Sequence, residues 1–221
     1  MTPETNLQAR STPNRDAAVL EHVVGVLLAG GRGMRMRGGV DKPLRSLAGR
    51  PLLDHAAART APQVGALIIN ANGDAARFAR FALPVVADTL PNFPGPLAGL
   101  LAGMRWAAAN RPEAVDVLSV PADTPFLPTY LVDRLHAARG SALVALAGSG
   151  GRTHPAVGLW PIGLADDLDA WLRDGGRRVL DWAARHGYGV ADFPTMPFDP
   201  FFNVNTPEDL ARAEAMSGPR E

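Results

Sequence analysis

Short apolar runs alternate with longer stretches of helical periodicity along most of the chain. Val23–Leu28 (VVGVLL) is an apolar, β-branched run cut off by Gly30 and Gly31, which predicts a buried strand. The same reading predicts strands at Gly65–Ile69 (ending at Asn70), Pro84–Ala87 (ending at Asp88) and Ala114–Val120 (running into PADTP). Between them lie LLDHAAART after Pro51, Asp74–Phe81, the Ala/Leu-rich Pro96–Ala109 and Pro128–Ala138, all helix-like. Pro51 suits a first helical turn, where a missing N–H is no loss. Strand alternating with helix predicts a parallel sheet covered on both faces.

The second half is less regular. Ser141–Leu146 and Pro155–Leu159 read as strands around a polar turn, GSGGRTH, while Leu164–Leu172 and Arg178–His186 read as helices and Val190–Phe193 as a last strand. Thr206-Pro-Glu-Asp opens a final helix with an N-cap, an N1 proline and early acids. Residues 1–20 read as a flexible polar arm and 21–217 as one domain.

Composition narrows the function classes. The chain of 221 residues carries 22 basic and 22 acidic side chains, and this zero formal charge argues against nucleic acid as a main partner. Cysteine is absent, which excludes disulfides and a thiol nucleophile. No apolar run approaches the ~20 residues that span a bilayer, and the start has no signal-like apolar stretch. No membrane partner and a cytoplasmic location are therefore expected.

In open α/β sheets, ligands bind beyond the carboxyl ends of the strands. There the sequence places LAGGRGMRMRGGVDKP, whose glycines let backbone N–H groups approach an anion while Arg32, Arg35, Arg37 and Lys42 add charge. A triphosphate needs both, although a solvated basic turn would look similar. A dinucleotide fingerprint is excluded by Met36, where the third glycine would fall, and a P-loop by Pro43 after the lysine. Asp123, at a strand end, suits Mg²⁺ bridged to phosphate oxygens, or else caps the next helix. Asp88 is either a helper ligand or a turn residue. Asn70 and Asn72 suit a base or ribose, or a plain turn. The span FPGPLAGL leads into a helix N-terminus that can receive an anion, or simply packs closely through Gly99. Asn203 and Asn205 alternate, so in extended chain they share a side and could face an acceptor. Arg152, His154, Arg177 and Arg178 form a basic set suited to an acidic acceptor, or to solvent. The five histidines lack zinc-site spacing, and no GxSxG motif is present.

Taken together and in order, LAGG, RM, GG-V-D-K, NAN, PGPLAG, ADTP, R-T-HP and FxNVNTPEDL resemble the molybdenum cofactor guanylyltransferase family from Val23 to about Ala215. That resemblance implies a Rossmann-like three-layer α/β sandwich with a mostly parallel sheet and helices on both faces. It implies transfer of GMP from GTP to the phosphate of molybdenum-loaded molybdopterin, with Mg²⁺ as cofactor and partner proteins in cofactor delivery. Leu28, Ala29, Gly30 and Gly31 would contact the nucleotide, and Lys42 and Arg35 the phosphates. Asn70 and Asp88 would hold the guanosine and Asp123 the metal. Asn203 and Asn205 would face the pterin, and Arg177 from the basic set is expected beside them on the acceptor side. The sequence departs from the family in one place: Arg37 stands between Met36 and Gly38, leaving Arg35 and Arg37 as alternatives for the phosphate contact. Cytidylyl transfer to the same pterin, a sugar-1-phosphate nucleotidyltransferase and a GTP-binding carrier without turnover stay open on the residues alone.

Overall fold

Alternate residues of the first strand serve opposite layers. In β1 (Val23–Leu28), Val23 and Leu27 join a buried cluster with Leu53, Ile69, Val120 and Leu131, while Val24 and Val26 join a second cluster with Ile68, Leu101, Val117 and Trp182. Both faces of the strand are apolar because both are covered, which is why its sequence runs apolar without a break. The computed structural model describes residues 21–30, 41–90 and 95–218. The expected arm and most of the basic loop, including Gly31, Arg32, Arg35 and Arg37, lie outside them.

The remaining strands are β2 (Ser46–Leu47), β3 (Arg50–Pro51), β4 (Ala66–Asn70), β5 (Val85–Val86), β6 (Asp116–Pro121), β7 (Val144–Ser149), β8 (Arg152–Pro161) and β9 (Tyr188–Phe193). Seven of the described strands form a sheet in the order β5-β4-β1-β6-β8-β7-β9, and β2 and β3 pair as a small antiparallel ribbon. Only β8 runs against its neighbours in the large sheet. One face carries α1 (Leu52–Thr60) and α3 (Leu131–Arg139). The other carries α2 (Pro96–Asn110), α4 (Ala165–Arg173) and α5 (Val179–His186). This is the expected three-layer sandwich. A smaller cluster of Leu47, Leu52, Phe126, Val204 and Ala213 lies under α6 (Pro207–Ser217), whose Thr206 and Asp209 form a capping box. No described helix is long and apolar enough to cross a membrane.

The departures from the sequence reading are local. Residues Ala75–Phe81 form a 3₁₀ helix, started by the Asp74 side chain accepting from the Ala76 N–H and ended by Ala82 in the left-handed region. Strands β7 and β8 extend through the polar turn, which tightens to Gly150-Gly151, both at positive φ. Pro51 ends β3 and precedes α1 as its N-cap.

Helix α2 approaches the sheet closely because it presents glycines four residues apart, on one face. A Cβ on Gly103 would run into Val26 of β1. Alanine gains about 1 kcal/mol over glycine in a helix, but overpacking a filled interior costs about 1–3 kcal/mol. Gly103→Ala is therefore expected to lower the Tm in a thermal melt. An unchanged or raised Tm would show that α2 does not sit this close to β1.

Candidate active site

Four strand ends lie level on one rim. Leu28 is in register with Asn70 on one side and Pro121 on the other, and Asn70 with Val86. Past the strands the backbone continues the pattern: Ala29 N–H donates to Asn70 O (2.9 Å), Ala71 N–H to Val86 O (3.0 Å) and Ala122 N–H to Leu28 O (3.1 Å). The rim thus receives Leu28, Ala29 and Gly30 from β1, Asn70 from β4, Asp88 from β5 and Asp123 from β6.

Lys42 reaches this rim from a 3₁₀ turn, Lys42–Leu44, anchored by the buried Pro43. Its ammonium forms an ion pair with Asp123 Oδ2 and donates to Asn203 Oδ1 (3.2 Å) and Asn205 Oδ1 (2.5 Å). Those partners match the three protons an ammonium carries. The Lys42 and Asp123 side chains are only 13% and 17% exposed, so this is not a screened surface pair. The other carboxylate oxygen, Asp123 Oδ1, is buried with no hydrogen-bond partner. A lone buried oxygen of a carboxylate is costly unless a cation takes it. Among the described residues no group of three or more His, Cys, Asp or Glu could hold a metal alone. One carboxylate suits Mg²⁺, which keeps waters and takes substrate phosphates.

The second half of the rim is an amide–carboxylate net. Asp88 Oδ1 accepts from Asn70 Nδ2 (2.9 Å) and Oδ2 from Asn72 Nδ2 (2.7 Å), while Asp88 N–H donates to Asn72 Oδ1 (2.9 Å). With both oxygens engaged, Asp88 orients the two asparagines. Asn70 is 3% exposed, and a Cβ on Gly99 of α2 would collide with its side chain and with Leu28. Arg77 links the two halves: its NH1 pairs with Asp41 Oδ2 (2.9 Å) beside Lys42, and its NH2 donates to Asn72 O (2.5 Å). The sequence offered no reason to single out Arg77, since one arginine in a polar stretch has no periodicity to mark it.

The Asn203–Asn205 segment is clamped at its centre and one end. Val204, fully buried between the two asparagines, donates its N–H to Asp123 O (3.0 Å). Asp209 Oδ2 accepts from the N–H groups of Asn205 and Thr206, each at 3.0 Å. Burial raises the Asp209 pKa, but these N–H groups and the Thr206 hydroxyl outweigh it, leaving the carboxyl below its usual 3.8. Arg177 is engaged elsewhere: its NH1 donates to Leu172 O (2.8 Å) and Gly176 O (2.6 Å) at the end of α4. Arg178 pairs with Asp181 at 3.6 Å, both side chains largely in solvent. His154 lies with Ser149 and Asp199, two residues that no motif flagged.

The description "MobA-like NTP transferase domain" matches residues 25–187. The chain is 55% identical over 195 residues to the molybdenum cofactor guanylyltransferase of Rhodopseudomonas palustris (strain BisB5), covering 87% of this chain and 92% of that protein. It is 52% identical to that of Bradyrhizobium sp. (strain ORS 278), covering 88% and 93%. Among solved structures, the molybdopterin-guanine dinucleotide biosynthesis protein A of Archaeoglobus fulgidus shares the fold, with a TM-score of 0.66 at 24% identity over 88% of this chain and 98% of that one. A 4-diphosphocytidyl-2C-methyl-D-erythritol synthase from Anaerococcus prevotii does too, with a TM-score of 0.70 at 12% identity over 91% and 98%.

The rim generates two expectations. Gly99→Ala should displace Asn70 and weaken binding of a nucleoside triphosphate about ten-fold, in line with about 1–3 kcal/mol of overpacking; an unchanged Kd in a titration would contradict the contact. The Asp209 carboxylate, with its pKa lowered on folding, contributes stability fully above pH 3.8 and loses it as the pH falls below that value. The Tm gap between wild type and Asp209→Ala should therefore shrink in acid; a gap constant from neutral pH to well below 3.8 would contradict the cap.

Proposed function

The chain belongs to the MobA-like NTP transferase family, and on that premise we propose that it transfers GMP from GTP to the terminal phosphate of molybdenum-molybdopterin, releasing pyrophosphate. A single nucleotidyltransferase domain, residues 21–217, carries the reaction, in the cytoplasm, with partner proteins handing over the acceptor. The observation that carries this reading is the meeting of Lys42, Asp123, Asn203 and Asn205 on one rim.

The acceptor's phosphate oxygen attacks the α-phosphorus of GTP. The new P–O bond forms as the bond from Pα to the bridging oxygen of the β-phosphate breaks, and that oxygen's electron pair leaves with pyrophosphate. The attacking phosphate is already ionised, so no strong general base is needed; the protein positions and neutralises. Leu28, Ala29, Gly30 and Gly31 line the nucleotide, with Asn70 and Asp88 on the guanosine. Lys42 and Arg35 take phosphate oxygens, and Asn203, Asn205 and Arg177 the acceptor. Asp123 holds Mg²⁺, its buried Oδ1 being the atom in need of a cation. When bound, that ion offsets charge on the α-phosphate and the departing pyrophosphate. In the free protein all three Lys42 protons are committed, so a triphosphate must displace at least one of its present partners.

Asp123→Asn, close in shape, should lower kcat about 10²–10³-fold in pyrophosphate release. GTP should be turned over and CTP not, when each is offered with the molybdenum-loaded acceptor. Mg²⁺ should raise the Tm of the wild type and leave that of Asp123→Asn unchanged. Near-normal turnover of the variant would remove Asp123 from the chemistry, and preference for CTP would overturn the base assignment.

A further inference from the structure

Three polar groups from three segments meet at the far end of the Asn203–Asn205 loop. Ser149 ends β7 and is 1% exposed. Its Oγ lies 2.8 Å from Asp199 Oδ1 and 2.7 Å from His154 Nε2 on β8. The same Asp199 oxygen accepts from Phe201 N–H (2.9 Å), and Asp199 O from Phe202 N–H (3.1 Å). The His154 ring packs on Phe201 with centroids 4.7 Å apart, and Phe201 meets Phe193 of β9 edge-on at 5.2 Å.

Proton counting orders the chain. An ionised carboxylate only accepts, and serine has one proton to give. Ser149 therefore donates to Asp199, and His154 Nε2–H donates to Ser149. Burial, the largest influence, pushes the His154 pKa below its usual value against the pull of Asp199, which fits a neutral ring. The result is a two-step relay from β8 through β7 to a loop residue four positions before Asn203.

We propose that Ser149, His154 and Asp199 are positioning residues for the acceptor: they fix the start of the loop whose centre and end are held by Asp123 O and Asp209, and so set Asn203 and Asn205 against Lys42. The relay contacts neither Lys42 nor the Asn70–Asp88 net, and Lys42 keeps its ion pair with Asp123 without it, so its effect falls mainly on the acceptor. This rests on the reading that Asn203 and Asn205 face the acceptor. A purely structural relay would change stability alone, or both substrates alike.

The test uses the full chain and the variants Ser149→Ala, Asp199→Ala and Asp199→Asn. Hydrogen exchange at the Val204, Asn205 and Thr206 amides is measured alongside steady-state kinetics. Ser149→Ala and Asp199→Ala should speed exchange at those amides and raise the acceptor KM about ten-fold. The GTP KM and kcat should stay within about two-fold, below the effect of a typical lost hydrogen bond. Asp199→Asn, which keeps an accepting oxygen, should restore most of the loss. Ser149→Ala added to the Asn203→Ala/Asn205→Ala pair should raise the acceptor KM no further than that pair alone, because the serine acts through those two side chains. Unchanged exchange in both alanine variants, or equal increases in the two KM values, would overturn the proposal. Faster exchange with an unchanged acceptor KM, together with an unaffected acceptor KM in Asn205→Ala, would instead overturn the acceptor reading of the loop, and the proposal with it.

Discussion

One ammonium group joins three parts of the chain that lie far apart in sequence. Lys42 comes from the end of the glycine-rich loop, Asp123 from the end of a central strand, and Asn203 and Asn205 from the approach to the last helix, more than 160 positions from the lysine. A largely buried cation must be paired and hydrogen-bonded or it destabilises the fold. Its three protons find one carboxylate and two amide oxygens, which leaves Asp123 Oδ1 buried without a hydrogen-bond partner. The same pairing makes the site responsive. On the proposed reading, a polyanion that took the lysine would free Asp123 and a cation that took Asp123 would free the lysine, so nucleotide and metal would favour each other's arrival.

The sheet makes this meeting possible. Parallel strands in register deliver their carboxyl ends to one level, and every strand but β8 in the large sheet points the same way. Antiparallel β8 brings its beginning to that rim, and with it His154. The close approach of α2 through Gly99 then packs the helix against the Asn70 side chain. Arg77 ties the amide–carboxylate net to the Lys42 half of the rim through Asn72 and Asp41.

What was legible in the sequence follows from which forces act locally. Val23–Leu28 was readable to the residue, because a six-residue, β-branched apolar run stopped by glycines is too short for a helix and suits a buried strand. The Thr206 cap was readable because its partners lie within four positions. The loss at residues 148–154 has the opposite cause: a serine and a histidine in a polar turn look solvated until Asp199, some fifty positions on, supplies their partner. The two-residue ribbon β2–β3 is too short to show any alternation. A role for Lys42 could be argued from its place in the glycine-rich loop and one for Asp123 from its place past a strand end, but their direct pairing could not. The contacts of Arg177 with the carbonyls of Leu172 and Gly176, at the end of α4, were likewise beyond a sequence pattern.

The central claim is that the orphaned oxygen of Asp123 and the ammonium of Lys42 exist to share one metal-bound triphosphate. A crystal structure with a non-hydrolysable GTP analogue and Mn²⁺, located by its anomalous signal, tests this most directly. The account predicts the ion at coordination distance from Asp123 Oδ1, about 2.1 Å by analogy with Mg²⁺, with Lys42 turned onto the phosphates. An ion bound away from Asp123, with the Lys42–Asp123 pair intact beside an occupied nucleotide, would contradict it.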